Sequence, residues 1–422
     1  MTVSSIFNLI ALLVTLAAVF GYINHRWVRL PHTIGLVVIA LAVSVGILLT
    51  DAVSPEFGLG ATVRGVLTEI DFEDTLMTGM LSFLLFAGAL HVDLDGLLKR
   101  RWAIAILASV GIMTSTLIVS GVMFLGFRAF GFEIPLTYCL VFGALISPTD
   151  PVAVMGILKD VNVPETLEAK ITGESLFNDG VGVVLYTLLV SIAVGGGPHG
   201  AVTVGGALEL LLVETVGGIV FGLATGYAAY RAMKAIDQHN LEVLITLSLV
   251  MVTYAVATEL HLSGPLAVVV AGLFIGNHGK RFAMSASTRR HIDTFWSLLD
   301  EVLNSLLFLA IGFEVVAIAI TGQVVGVALL AIPVVLFARW VSVAAPITLL
   351  GLRQTFTKGA IPVLTWGGLR GGISVALALA LPASPYKPVL LATTYGVVIF
   401  SIVVQGLTVE KLVRVVVPSE SA

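Results

Sequence analysis

Thirteen apolar stretches, each close to the length of a membrane-spanning helix, run through almost the whole chain. A hydrocarbon core of roughly 30 Å needs about 20 consecutive apolar residues in helical form. Lipid offers no partner to backbone polar groups, so such stretches fold as helices that satisfy their own hydrogen bonds. The sequence therefore predicts an all-α polytopic membrane protein. The predicted segments are 5–23, 33–50, 72–92, 103–127, 136–158, 171–194, 204–230, 240–260, 262–278, 296–318, 323–350, 358–381 and 388–410.

The composition excludes a soluble enzyme. Only 11% of the 422 residues are charged and 58% are hydrophobic, whereas soluble domains carry about a quarter charged residues. The net charge of −4 gives no basic excess for nucleic acid. The single cysteine, Cys139, excludes a disulfide framework or a thiolate metal site. We therefore expect a lipid bilayer as the surroundings and no nucleic-acid partner.

The basic residues fall on alternate sides of the predicted segments. Cytoplasmic loops of membrane proteins hold an excess of Lys and Arg. Of the 22 basic residues, 17 fall in one set of alternate loops, among them Lys170, and three fall in the other set, Arg64, Arg128 and Lys387. This distribution predicts an N-terminus outside and a C-terminus in the cytoplasm. The plasma membrane of a bacterium is the expected location.

The two remaining basic residues, Arg339 and Arg370, lie inside predicted segments. A charge at that depth costs several kcal/mol unless it faces the protein interior or water, so each indicates a functional site. The alternative is an arginine that extends from a helix end to the membrane surface. The same test applied to acidic residues selects five, of which the last two are weaker candidates: Asp150, Glu174, Asp179, Glu214 and Glu314.

Two predicted helices carry an interruption near the middle. The fifth segment contains Pro148 and Pro151 around Asp150, and two prolines remove two backbone donors and prevent regular helix. The twelfth segment contains four glycines around Arg370. We divide the chain into two repeats, 1–194 and 240–414, with a linking helix over 204–230. The two interrupted segments then occupy the same position in their repeats. Paired interruptions in two inverted halves indicate a transporter binding site near the middle of the membrane.

The sixth segment presents two polar stripes on one side of a helix. Ser175 and Asp179 are four residues apart, as are Glu174 and Asn178, and residues with this spacing are neighbours on a helix surface. Carboxylate, hydroxyl and carbonyl oxygens suit a hard cation such as Na⁺. Asp179 beside the free carbonyls of the interrupted fifth segment would form such an oxygen-lined site.

Three stretches, Ser147–Val154, Gly173–Tyr186 and Gly367–Ala376, resemble the signatures of the monovalent cation/proton antiporter family, in its NhaP-like and sodium/proton exchanger branch. The resemblance implies an NhaA-like inverted repeat with two crossed discontinuous helices, the fifth and the twelfth. It also implies a homodimer that exchanges Na⁺, with Li⁺ or K⁺ as alternatives, for H⁺. No cofactor beyond the transported ions and no enzymatic activity are expected.

The resemblance also assigns roles to residues. Asp179 would bind proton and cation in turn, and Asn178 would support the site by hydrogen bonding. The Asn178-Asp179 pair is typical of electroneutral exchange of one cation for one proton. Arg339 would form an ion bridge with Glu174, and Arg370 would offset the carbonyl ends at a helix break. The further sodium ligands implied are Asp150, Ser175 and the backbone of Thr149.

Two departures from the family pattern affect these expectations. Relatives often carry a glutamate in the third segment where this chain has Ala87, so a water-mediated carboxylate contact would be missing. The chain ends at Ala422, from which no cytoplasmic regulatory domain is expected.

A cation channel and an intramembrane hydrolase are the alternative interpretations. A channel would need ligands from several subunits around a continuous pathway, and the sequence contains no filter signature. A hydrolase would use Asp150 and Asp179 as an acid pair or Ser175 as a nucleophile. Ser175 lacks the Gly-x-Ser-x-Gly turn, which weighs against the hydrolase.

Overall fold

The regular secondary structure in the part of the chain that the structure describes is helical. A computed structural model gives residues 3–54, 58–61, 63, 65, 79–99, 101–150, 165–195, 204–318, 321–351 and 359–417. These ranges contain no β-strand, only one isolated β-bridge. Eight of the helices found there are long and apolar enough to cross a membrane, and two shorter ones are also apolar. The predicted all-α membrane class is confirmed.

The helices are numbered in chain order, and several contain a π-helical turn. Such turns extend α1 over Asn24–Val28 and α10 over Ile275–Gly279, and they lie within α5 over Leu107–Gly111 and within α15 over Ser401–Gln405. The bounds are α1 Val3–Ile23, α2 His32–Val53, α3 Leu81–Leu90, α4 Leu94–Lys99, α5 Arg101–Ala129, α6 Leu136–Ile146, α7 Glu165–Ala193, α8 Val204–Lys234, α9 His239–Glu259, α10 Gly264–Phe274, α11 Ala286–Glu314, α12 Gly322–Leu350, α13 Ala360–Trp366, α14 Gly372–Leu379 and α15 Lys387–Val416.

Each predicted segment coincides with at least one of these helices, although several boundaries differ, among them the first residues of α11 and α7 and the last residue of α15. α11 begins at Ala286 instead of 296. Its first turns are amphipathic and carry charges such as Arg289 and Arg290, so a search for apolar stretches placed them outside the segment. α7 begins at Glu165, so Lys170 is helical and buried. The prediction that Lys170 lies in a loop was wrong. Positions 72–78 and 151–158 lie outside the described residues, so the number thirteen stays a prediction.

The largest core surrounds the two interrupted helices. Phe127 of α5, Phe142 of α6, Phe308 of α11 and Tyr395 of α15 are fully buried in it. α6 packs closely on α5, since a Cβ on Gly143 would lie 2.5 Å from the carbonyl oxygen of Thr116. This packing fixes where α6 ends and therefore where its interruption lies.

The outside of the bundle is apolar, as expected where lipid replaces water. Leu117 and Leu125 of α5, Leu329 of α12 and Met251 of α9 are all more than half exposed. Large aliphatic side chains in such positions are unfavourable in water and neutral in hydrocarbon. The buried sides of α5 and α12 carry two polar residues of the region described next, Ser115 and Arg339.

Candidate ion-binding site

The two interrupted helices meet through their main chains. α6 ends at Ile146, and α13 and α14 are separated by residues 367–371. At this crossing the Asp150 N–H donates to the carbonyl of Leu369 at 2.8 Å, which forms an isolated antiparallel bridge. Residues 151–164 lie outside the described residues, so the predicted continuation of the first helix to 158 stays a prediction. The crossing therefore juxtaposes the Pro148–Asp150 turn and the glycine-rich turn, as the family resemblance implied.

Two glycines of the glycine-rich turn lie so close to other side chains that no larger residue would fit. A Cβ on Gly371 would overlap the carboxylate of Asp150. A Cβ on Gly368 would lie 2.5 Å from Nε of Arg339. Neither glycine has a positive φ, so the requirement is one of space and not of backbone conformation. Larger residues at these positions would push the two turns apart.

Two residues of α7 hold the Pro148–Asp150 turn in place by hydrogen bonds to the buried Thr149. Asn178 uses both ends of its amide: Oδ1 accepts from the Thr149 N–H at 3.2 Å, and Nδ2 donates to Thr149 Oγ1 at 2.7 Å. Ser175 Oγ donates to the Thr149 carbonyl and lies 3.2 Å from Thr149 Oγ1. Buried polar groups are costly unless bonded, so these contacts stabilise non-helical backbone at membrane depth.

Asp179 lies one residue beyond Asn178 and is 5% exposed. Its Oδ1 has no hydrogen-bond partner among the residues that the structure describes. Asp150 lies close enough for the two carboxylates to interact electrostatically. Ser175, one helical turn before Asp179 on α7, brings its Oγ to 3.2 Å from Thr149 Oγ1. This set contains only oxygen donors and suits a hard cation such as Na⁺.

A buried ion pair joins α7 to α12. Both Nη atoms of Arg339 donate to the two carboxylate oxygens of Glu174, and the Nη2–Oε2 distance is 3.1 Å. The Nε of Arg339 donates to the carbonyl of Leu364 at 3.1 Å, in the last turn of α13. The guanidinium therefore neutralises Glu174 and also satisfies a carbonyl at the end of an interrupted helix, where a positive charge is favourable.

Arg370 binds the other interrupted helix. Its Nη1 donates to the carbonyl of Ser147 and to that of Pro148, the latter at 2.8 Å. These carbonyls follow the end of α6, and Pro151 can offer no N–H to the carbonyl of Ser147. The backbone N–H of Arg370 donates to Ser401 Oγ at 2.8 Å. Each buried arginine thus satisfies carbonyls at one of the two interruptions.

Comparison with known proteins identifies the family of this chain. The family model described as "Sodium/hydrogen exchanger, transmembrane" matches residues 13–415. The chain belongs to the sodium/hydrogen exchanger family. Among curated relatives of this exchanger chain, the Na⁺/H⁺ antiporter NhaP of Pseudomonas aeruginosa is 44% identical over 96% of each chain. The Na⁺/H⁺ antiporter NhaH of Halobacillus dabanensis is 34% identical over 81% of this chain and 83% of its own.

A solved structure has the same fold as this exchanger chain. The sodium proton antiporter MjNhaP1 of Methanocaldococcus jannaschii, at pH 8, matches with a TM-score of 0.76. The match covers 97% of each chain, with 19% sequence identity. At that identity the likeness concerns the fold, and the family membership rests on the comparisons of sequence. The predicted family and its transporter fold are confirmed.

Sequence reasoning missed several polar residues that support the exchanger's two turns. Ser147 Oγ donates to the Gly143 carbonyl at 2.7 Å and lies 2.9 Å from Ser115 Oγ of α5. Gln405 of α15 donates to the carbonyl of Trp366 at 2.8 Å. A lone glutamine in an apolar segment was an available signal for Gln405. Ser115 gave no comparable signal, since serines are common in membrane helices.

The weaker candidates and the variant position lie elsewhere. Glu314 is buried at the end of α11, and Glu214 is half-buried in α8. Neither makes a hydrogen bond to Asp179 in the described ranges. Ala87 of α3 is 1% exposed and packs in the core around Trp296. The structure therefore brings together eight of the predicted residues, namely Asp150, Thr149, Glu174, Ser175, Asn178, Asp179, Arg339 and Arg370.

Proposed function

We propose that this chain is a secondary antiporter that exchanges Na⁺ for H⁺, with Li⁺ and K⁺ as the alternative cations. The observation that carries the proposal is the buried Asp179, whose Oδ1 lacks a hydrogen-bond partner among the described residues. This carboxylate interacts electrostatically with Asp150, which lies at the crossing of the two interrupted helices, a typical place for transporter binding sites. The names of the relatives agree with it, since both curated antiporters are named for sodium and protons.

In the proposed mechanism, the proton and the cation compete for Asp179. Arg339 already neutralises Glu174, and Arg370 is bonded to carbonyls, so Asp179 is left as the group whose charge changes. Asp150, Ser175 and Thr149 serve as further ligands of the cation. Alternating access requires that the ion-bound and empty forms differ in their preference for the inward-open and outward-open states.

The exchange is proposed to be electroneutral, with one cation for one proton. Asn178 supports this stoichiometry because its neutral amide is engaged with Thr149 by two hydrogen bonds. It supplies structure to the site and adds no second titrating carboxylate next to Asp179. Each ion that leaves Asp179 is then replaced by one ion of equal charge.

The proposal includes the assembly and the orientation. We place the chain in a bacterial plasma membrane as a homodimer, with the N-terminus outside and the C-terminus in the cytoplasm. The distribution of 22 basic residues supports the orientation. We also propose two repeats, 1–194 and 240–414, with a linking helix over 204–230. Each repeat contains one of the two interrupted helices, and the linking helix lies within α8.

A liposome assay tests the proposal. The protein is reconstituted with a trapped pH dye, a proton gradient is imposed, and NaCl, LiCl or KCl is added outside. We expect cation-dependent proton movement that is unchanged when the membrane potential is collapsed. Asp179→Asn should abolish it, whereas Asp95→Asn, which removes an exposed carboxylate of α4, should not. Transport by Asp179→Asn at the wild-type rate would refute the mechanism.

A further inference from the structure

The turn between α1 and α2, defined here as residues 24–32, concentrates positive charge at one membrane surface. The first 50 residues contain no Asp or Glu. Their arginines and histidines all fall within this turn, at His25, Arg26, Arg29 and His32. Neither arginine forms an ion pair within the ranges that the structure describes. The turn therefore carries cationic side chains that the antiport mechanism does not use.

The turn is built around the buried side chain of Asn24. Its Oδ1 accepts from the Leu30 N–H at 3.1 Å, and its Nδ2 donates to the Leu30 carbonyl at 2.9 Å. Between these residues Arg29 has a φ of 60°, in the left-handed region. That conformation is uncommon for a residue with a Cβ and occurs where the surroundings impose it, often at functional positions.

An open cavity lies within the turn. Its volume is about 640 Å³, and it is lined by Asn24, His25, Arg26, Arg29, Leu30 and His32. One wall is fixed, because Nε2 of His32 is 2.9 Å from Ser305 Oγ of α11. Two guanidinium groups and two imidazoles thus border one space in which they can offer several N–H donors.

Aromatic residues place this cavity at the level of the lipid headgroups. Tyr22 and Trp27 are 64% and 67% exposed, and their rings contact edge to face with centroids 5.9 Å apart. Exposed Trp and Tyr at a helix end are typical of the interface between hydrocarbon and water. The cavity therefore opens where phosphate groups of lipids are found.

We propose that this cavity binds a phosphate group, supplied either by the headgroup of an anionic phospholipid or by free phosphate. Arginine forks match phosphate oxygens with paired hydrogen bonds. Basic pockets at the cytoplasmic side of membrane helices bind anionic headgroups, helped by the negative surface potential there. The bound phosphate would supply the counter-charge that Arg26 and Arg29 lack among the described residues.

The test measures the melting temperature of the full chain in neutral detergent with added lipid. Separate samples receive phosphatidylglycerol, phosphatidylcholine or inorganic phosphate. A ligand that binds only the folded state raises its stability, and we expect phosphatidylglycerol to raise the melting temperature by at least ~2 °C. The double variant Arg26→Gln, Arg29→Gln should lose this rise. The control Arg289→Gln, Arg290→Gln, which removes two exposed arginines of α11, should keep it.

A second variant separates binding from folding. Arg29→Gly removes one guanidinium but favours the left-handed backbone, so its melting temperature without lipid should not fall while its response to phosphatidylglycerol weakens. A response to inorganic phosphate alone would identify free phosphate as the ligand. An equal lipid response in the wild type and in the Arg26→Gln, Arg29→Gln variant would overturn the proposal, as would no response to any phosphate compound.

Discussion

Glu174 and Arg339 are 165 residues apart in the sequence and form a bidentate ion pair inside the protein. Their side chains are 2% and 8% exposed. Removal of one partner from a buried pair leaves an uncompensated charge, which costs far more than the intact pair contributes. Each charge of the pair therefore needs the other to be present, beyond any contribution that the pair makes to holding α7 against α12.

Neutralisation of either partner should destabilise the protein strongly. We expect Glu174→Gln and Arg339→Gln each to lower the free energy of unfolding by about 3–5 kcal/mol, measured by thermal or denaturant melting in detergent. The double variant should lose less than the sum of the two. The exposed pair Glu410–Arg414 is the control, and its substitution should change stability by within about 0.5 kcal/mol. Equal effects at the two pairs would contradict a buried charge pair.

Asn178→Ala should lower stability because it leaves polar groups of Thr149 without partners. Two buried hydrogen bonds are lost, and we expect a cost of about 2–4 kcal/mol. Asn304→Ala is a matched control, since Asn304 is also buried but its Nδ2 has no partner in the described part of the chain. Melting curves of the two variants should differ clearly. Indistinguishable curves would mean that the contact with Thr149 does not stabilise the turn.

Gly371→Ala should impair transport by steric overlap. The new methyl group would coincide with the Asp150 carboxylate, so Asp150 or the glycine-rich turn must move. We expect at least a tenfold loss of cation-dependent proton flux in liposomes, since small displacements at a site have large effects. Gly46→Ala in α2 adds the same methyl group where nothing lies within 4 Å. That variant should transport normally, and wild-type flux in Gly371→Ala would be the contrary result.

Arg370→Gln should open the Pro148–Asp150 turn. The substitution leaves the carbonyls of Ser147 and Pro148 without their shared donor, and a lost charge-assisted bond costs about 1.5–3 kcal/mol. Arg370→Lys retains the charge but not the planar fork, so its melting temperature should fall between those of wild type and Arg370→Gln. The order of the three melting temperatures is the measurement. A lysine variant no better than glutamine would show that geometry outweighs charge here.

Much of the fold followed from hydropathy, because a membrane leaves few alternatives to apolar helices. Buried charge was equally informative: Arg339 and Arg370 stood out in the sequence because a membrane interior tolerates so few cations. Family resemblance then supplied the pairing of Arg339 with Glu174. Their contact appears in the structure, while the transport roles of the site residues stay predictions.

Other features depend on how distant segments pack, which hydropathy does not report. Lys170 looked like a loop residue because it precedes the apolar run, yet α7 extends to Glu165 and buries it. The close approach of Gly371 to Asp150 follows from the relative placement of two turns. The same holds for Ser115, whose hydroxyl matters only because α5 packs on α6.

The bond between the Asp150 N–H and the Leu369 carbonyl joins the interrupted helices through main-chain atoms. Every amino acid carries the carbonyl, so Leu369 can be exchanged for other apolar residues that fit its buried position without loss of this link. At position 150 only proline would remove the donor. The residue at position 369 can thus vary among related chains while the crossing of the two helices stays the same. Alignments of related chains would therefore understate the importance of this position.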